Sequence, residues 1–338
     1  MRIPIPRSRM EVDVVGIPDL VADHHATLAM VLPPLVERLR AMAPTILVTL
    51  ARGSANHAAA YGAALAELRL GLPTAPLPMV LASAHARTLR LERALAIAVA
   101  PVGDGTDLLT SIGMVQRGGA TALGLVNASG SPVEAMADDV LEIGAGEETS
   151  AIATRTFVLT VFTLAQLIAT WSGGAALSAS LARMHEALAD TNEPARDALL
   201  MTLAKRESAY VIARGPALPM ARELALKLKE VCGIHAEAFS AAEVLHGPIA
   251  LASPQLPVIV FEPDAATRAS VEAAVARFVE AGSPVVRIGT RAAPGIHPWL
   301  QPLVTMHSAY AWLLMLAAAR GRDPDRNSPA AMVTPPLR

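Results

Sequence analysis

The chain is short of cysteine, of charge and of basic clusters, and each shortage removes a class of function. A single cysteine, Cys232, in 338 residues rules out an internal disulfide and cannot alone build a thiolate metal centre. A reducing, cytoplasmic setting is therefore expected. Charged residues make up 17% of the chain against 53% hydrophobic, the reverse of the composition of disordered segments. The 28 Lys and Arg nearly balance 30 Asp and Glu, for a net charge of -2, and form no block. The electrostatic footprint of a nucleic-acid binder is missing. Also missing are an HExxH zinc motif, a GxSxG nucleophile elbow and the full spacing of a Walker or dinucleotide loop, which argues against those chemistries. The opening MRIPIPRSRMEVDVV has no apolar core before a cleavage site, so no signal peptide is read there.

What is present is apolar chain, enough for one large or two medium domains. Thr156 to Ala182 carries no charge and is long enough to cross a bilayer. Its threonines and the Gly173-Gly174 break favour instead two ordinary helices, buried or at a dimer interface, and no membrane partner is expected. Apolar runs at Thr45–Leu50, Ala94–Ala100, Thr121–Val126 and Val140–Ile143 alternate with helical patterns at Ala55–Leu70 and Thr106–Arg117. This predicts a parallel sheet covered on both faces. Tyr210–Ala213, Val258–Phe261, Val285–Ile288 and Leu303–Met306 read as strands of a second such unit.

The two halves agree in register. LARG ends the first strand at Gly53 and IARG ends its counterpart at Gly215; Asn127 and Gly289 each follow 74 residues later. Two copies of one α/β unit are predicted: an N-terminal segment over 1–30, domains over 31–175 and 201–325, a helical connector over 176–200, and a tail over 326–338. Ligands of such sheets bind beyond the carboxyl ends of the strands.

Three motifs fall there. Arg52-Gly53-Ser54-Ala55-Asn56 could admit an anion at a helix N-terminus, or simply cap that helix. Pro101 to Asp107, PVGDGTD, has two glycines and one hydroxyl, with aspartates that would repel phosphate. The third and richest run is Ala221–Ala252. Glu223, Lys227 and Glu230 share a helix face and read in isolation as an exposed ion-paired stripe. His235, Glu237, Glu243 and His246 follow among small residues, with His246 in a His-Gly-Pro turn. A His with a Glu base and lysines suits proton transfer beside a carbonyl. A zinc reading of His235, Glu237 and His246 lacks compact ligand spacing, so no metal is expected.

ALKLKEVCGIHAEAFSAAEVLHGPIAL resembles a segment of the sugar isomerase (SIS) domain proteins, as in the isomerase half of glucosamine-6-phosphate synthase and in type II glucosamine-6-phosphate deaminases. ARGSANHAA, Gly144–Phe157 and the DPDR tail agree in order, so the resemblance covers essentially the whole chain. It implies two SIS domains, each a parallel five-stranded sheet between helices, forming a homodimer that acts on phosphosugars without metal or organic cofactor. Glu230 matches the glutamate that moves a proton between C1 and C2, and His246 the histidine that opens the ring and reaches the neighbouring subunit's site. Lys227 matches an active-site lysine. Gly53, Ser54 and Ala55, with Val102, Gly103, Asp104, Gly105 and Thr106, match the two sugar-phosphate loops.

The departures are as informative. Both serines of the second loop are replaced, Ala55 stands where the first loop has a second serine, Ala153 replaces another serine, and Met332 stands where the family has a terminal lysine. The only cysteine is Cys232, so glutaminase activity is not expected. Each lost charge-assisted hydrogen bond is worth about 1.5–3 kcal/mol, so phosphate binding in the usual mode is weakened and Schiff-base chemistry through a terminal lysine is excluded. Two functions follow: an isomerase or deaminase working through an enediol or enolamine, or a non-catalytic sugar-binding sensor that keeps the fold.

Overall fold

The structure is a computed structural model that describes residues 8–101, 105–127 and 129–325. The chain folds into two compact units. One takes Asp19–Glu147 and Arg155–Met184; the other takes the N-terminal stretch up to Pro18, Glu148–Thr154 and the chain from His185 onward.

The first unit is built on β1 (Ile46–Leu50), β2 (Thr74–Pro76), β3 (Ala94–Ala100), β4 (Thr121–Val126) and β5 (Asp139–Glu142). All pair in parallel, in the order β2-β1-β3-β4-β5. β3 is buried along its whole length, as a strand covered on both faces must be. Its alternate alanines, Ala94, Ala96, Ala98 and Ala100, share a core with Ile112 and Val115 of the helix Thr106–Arg117; their small size lets that helix lie close to the sheet. The helices Gly53–Leu70 and Arg155–Ser172 also meet closely. A Cβ at Gly62 would stand 3.0 Å from Leu164 Cβ, so glycine lets the two helices approach without displacing Leu164.

The second unit is built on β6 (Ser208–Ala213), β7 (His235–Ser240), β8 (Val258–Phe261) and β9 (Val285–Ile288), in the order β7-β6-β8-β9. Its four strands repeat the order of the first four of the first unit: one strand, an outward step to an edge, a crossover to the other side and a further step outward. The repeat extends to backbone angles. Arg52 and Arg214 are both extended, at φ -135 and -150, and the glycines after them lie at φ 52 and 62.

The second sheet departs from expectation by one strand. Among the described residues it has four, because Leu303–Met306 lies inside the helix Gln301–Ala319. Leu303, Met306, Tyr310, Leu313 and Ala317 are all buried, a three-to-four-residue period that a four-residue window of apolar chain cannot reveal. Of the described helices, Gln301–Ala319 is the one long and apolar enough to cross a membrane, and 67% of its most apolar window is buried within the fold. The uncharged stretch from Thr156 splits at Gly173-Gly174 into helices Arg155–Ser172 and Ala175–Ala182.

Candidate active site

The helix Leu218–Cys232 carries the densest polar cluster of the second unit. Gly215 and Pro216 start the turn into it, and Gly233 at φ 66 stops it. That left-handed backbone favours glycine at the stop. The helical period brings Glu223, Lys227 and Glu230 to one face, and that face turns inward. Lys227 Nζ lies 3.1 Å from Glu223 Oε1 and donates to Glu230 Oε2 at 2.8 Å. The Lys227 and Glu223 side chains have no exposed surface, while Glu230 keeps 24%. The stripe is therefore a buried charge chain whose outer end is a carboxylate, and not the exposed ion-paired face that the pattern alone suggests.

Burial alone would push the Lys227 ammonium toward neutrality. Glu223 first and Glu230 second outweigh it, so its pKa stands above the usual lysine value and the side chain stays charged. Behind it, Tyr310 is completely buried and its hydroxyl has no hydrogen-bond partner among the described residues. Burial chiefly, with help from Glu223, Glu148 and Glu230, raises its pKa well above the ordinary phenol, so it is neutral.

The loop Glu148–Thr154 belongs to the same unit and is fixed by a buried acid. Asp13 accepts from Thr149 N at 2.9 Å and Ser150 N at 2.7 Å, and Glu148 accepts from Thr154 Oγ1 at 3.0 Å. Glu148 and Tyr310 were absent from the residues expected at the site, although Glu148 lies in the Gly144–Phe157 stretch that carried part of the resemblance. Asp13 carried no signal at all.

The remaining expected residues are placed as follows. His246 ends a short 3-10 turn and is exposed, with Gly247 after it at φ 134. No hydrogen bond or ion pair joins it to Lys227 or Glu230 among the described residues. His235 and Glu237 are exposed on edge strand β7, and no group of three metal-binding side chains is found among the described residues. Cys232 is buried, and burial pushes its thiol up to about 12 against the opposing pull of Arg320 and Arg322.

Gly53, Ser54, Ala55, Gly105 and Thr106 belong to the first unit, where Gly53–Ala55 opens a helix beyond β1 and Gly105–Thr106 opens another beyond β3. Val102, Gly103 and Asp104, like Met332 and the tail, lie outside the described residues. Between these helix starts, Arg52 forms an ion pair with Asp107 that sequence reading did not anticipate. A cleft of about 680 Å³ opens there, lined by that pair, Ser83, Thr106, Thr110 and apolar Met79 and Val80. Among the described residues its one cation, Arg52, is bound to the chain's own carboxylate.

The pattern of the SIS domain matches residues 202–292. A Silicibacter pomeroyi DSS-3 protein ascribed to the phosphosugar isomerases shares 32% identity and superposes with a TM-score of 0.85, over 94% of this chain and 100% of that one. The chain belongs to the SIS domain family. Glutamine–fructose-6-phosphate aminotransferase of Thermus thermophilus is 30% identical over 303 residues, 82% of this chain and 50% of that enzyme. The chain thus spans about half the length of the curated relatives it matches. Glucosamine-6-phosphate deaminase of Thermotoga maritima shares the fold, with a TM-score of 0.75 at 17% identity over 95% of this chain and 97% of that one.

Proposed function

We propose that this SIS family protein is an enolising sugar enzyme, an aldose–ketose isomerase or an amino-sugar deaminase, with Glu230 as the base that moves the proton between C1 and C2. The observation that carries this reading is the charge chain. A fully buried Lys227, clamped by Glu223, grips one oxygen of Glu230 at 2.8 Å while the carboxylate keeps its 24% exposure. A base held at one oxygen has its orientation fixed and its free oxygen available to both carbons, the geometry that proton return to the neighbouring carbon needs. The Lys227 charge beside it favours the developing enediolate. His246, on an exposed Gly-Pro turn, serves ring opening in the site of a second copy, which makes the enzyme a homodimer with shared sites. No metal or organic cofactor is needed for this proton shuttle.

The sugar's handle differs from that of the family. With Ala55 where the resembled first loop has its second serine, both serines of the second loop replaced and Arg52 engaged by Asp107, the first unit offers a phosphate little, so the preferred substrate is unphosphorylated or carries another group at C6. The same losses favour, as a second reading, a sugar-binding protein without turnover. Proton NMR in D2O with paired sugars tests both: glucosamine and glucosamine 6-phosphate, fructose and fructose 6-phosphate. Exchange at C1 or C2 that disappears in Glu230→Gln supports the enzyme. Exchange that survives in Glu230→Gln refutes the assigned base. Sugar-dependent thermal stabilisation without any exchange supports the binding protein.

A further inference from the structure

A cleft of about 510 Å³ beyond β8 and β9, lined by Arg268 in its pair with Glu262 at 2.9 Å, shares no lining residue with the charge chain of the proposed site. Asp13 does reach the surroundings of that chain. It is fully buried on the short helix Arg9–Val15, and a segment 136 residues further on converges on it. Oδ2 accepts from Thr149 N at 2.9 Å and from Ser150 N at 2.7 Å, and Oδ1 accepts from Thr149 Oγ1 at 3.1 Å. Hydrogen bonds from backbone N–H groups to a carboxylate are about twice as strong as neutral ones.

The helix is a firm base for this clamp. Ser8 caps it by accepting from Glu11 N at 3.1 Å, Arg9 N donates to Asp325 Oδ2 at 2.8 Å, and Met10 and Val14 are buried. It packs on the helix Gln301–Ala319, which carries Tyr310. Asp13 therefore ties the loop Glu148–Thr154 to the frame that holds Tyr310.

The loop also closes on itself. Glu148 Oε1 accepts from Thr154 N at 2.5 Å and from Thr154 Oγ1 at 3.0 Å, and Ser150 Oγ accepts from Ile152 N at 3.0 Å. Glu148 is left half-buried. After burial itself, the carboxylates of Glu223, Glu148 and Glu230 are what raise the Tyr310 phenol, so Glu148 and the charge chain face one hydroxyl from two segments of the chain. Like charges repel, and the backbone hold that Asp13 supplies opposes that repulsion. We infer that Asp13 is a positioning residue of the site: its grip on Thr149 and Ser150 keeps the Glu148 loop beside the charge chain, so that a bound sugar is presented to Glu230 in one orientation. This rests on the proposed function and goes beyond it, because the support comes from the N-terminal helix and acts through the loop alone.

The test compares the parent chain with Asp13→Ala, which removes the clamp, and with Asp13→Asn, whose oxygen can still accept from both amides while its NH2 turns to the Thr149 hydroxyl. Without sugar, the Thr149 and Ser150 amides should exchange at least about tenfold faster in Asp13→Ala, with 218–232 unchanged, and Asp13→Asn should restore most of the protection. Turnover is then read from proton exchange at C1 or C2 of glucosamine, fructose and their 6-phosphates. In Asp13→Ala kcat should fall about tenfold, as expected for a misaligned near-attack geometry. In a Glu148→Gln background the same substitution should cost less than about twofold, because the effect passes through that loop. A loss that adds in full to that of Glu148→Gln marks general destabilisation and overturns the inference, as do loop amides that exchange as in the parent. Should Asp13→Ala not fold, Thr149→Val at an exposed position decides, with a fall in kcat of about two- to threefold expected and no change as the contrary result. If the parent turns over none of the four sugars, the proposed reaction has failed and the inference is read from binding. Thermal stabilisation by sugar should then be lost in Asp13→Ala; stabilisation equal to the parent's, or none in the parent, overturns it.

Discussion

Replacing Lys227 by methionine removes a cation from the buried inner end of the Glu223–Lys227–Glu230 cluster. Glu223 has no exposed side-chain surface, so after the substitution its carboxylate loses the ammonium 3.1 Å away and must stay charged without that compensation or take up a proton. Glu230, 24% exposed, can turn toward solvent, so most of the cost falls on Glu223. Breaking a buried pair by removing one partner costs about 3–5 kcal/mol, and that loss is expected in urea unfolding at pH 7 with an unchanged m-value. A pH signature accompanies it. If Glu223 is protonated in the folded variant and ionised in the unfolded chain, the native state binds one more proton, and stability falls by about 1.4 kcal/mol per pH unit above the ordinary glutamate pKa. Removing both charges, as Glu223→Met with Lys227→Met, should return most of the lost stability because the pair's desolvation cost goes with it. A single variant within about 1 kcal/mol of the parent, no added pH slope, or a double variant no better than the single would refute the reasoning.

Other substitutions probe other parts of the structure. His24 and His307 are each lowered by burial to about 4; the unfolded chain therefore binds more protons between that value and 6.5, and stability is lost as pH falls through this window, by up to about 1.4 kcal/mol per unit for each. Urea midpoints between pH 7 and 5 should show this, and His24→Gln should flatten the slope by one proton; an unaltered slope contradicts it. Tyr310→Phe deletes a buried hydroxyl without a partner and should stabilise by about 1 kcal/mol, read by denaturation; a loss would show that the hydroxyl is paired. Asp107→Asn frees Arg52, and because both side chains are partly exposed the gain is small: about two- to fivefold in kcat/KM for a phosphorylated over an unphosphorylated sugar, with no change in the ratio as the contrary result.

The strands of both sheets were legible where the chain is uniformly apolar. ALAIAVA and VIVF can be buried only as strands or core helix, and their length and spacing decide for strands. Three elements were hidden for physical reasons. β2 is three residues ending at Pro76, too short for any period. β7 reads HAEAFS, with His235 and Glu237 exposed and Ala236 buried; its alternation was visible, but its titratable side chains suggest a site before they suggest a strand. Leu303–Met306 was misread because one turn of an apolar helix and a short buried strand look alike. At the site, spacing put Glu223, Lys227 and Glu230 on one face, while their burial was illegible because lone charges are so seldom enclosed. Only the three-dimensional packing of Leu218–Cys232 against Gln301–Ala319 turns that face inward.

The two strand-end clefts also show which part of a loop motif informs on fold and which on ligand. Gly53 and Gly215 keep nearly the same left-handed φ, and both follow an extended arginine, because the step from strand to helix demands that backbone whatever is bound. Beyond that arginine the side chains around them do not repeat. In the first unit Arg52 is closed onto Asp107, in the second Arg268 onto Glu262, and Glu193 fills the Gly289 amide where an anion would otherwise sit. A glycine-bearing turn at the end of a parallel strand is therefore evidence for the α/β unit and carries no information about phosphate. In each described cleft the lining guanidinium is closed onto a carboxylate of the chain, Arg52 onto Asp107 and Arg268 onto Glu262.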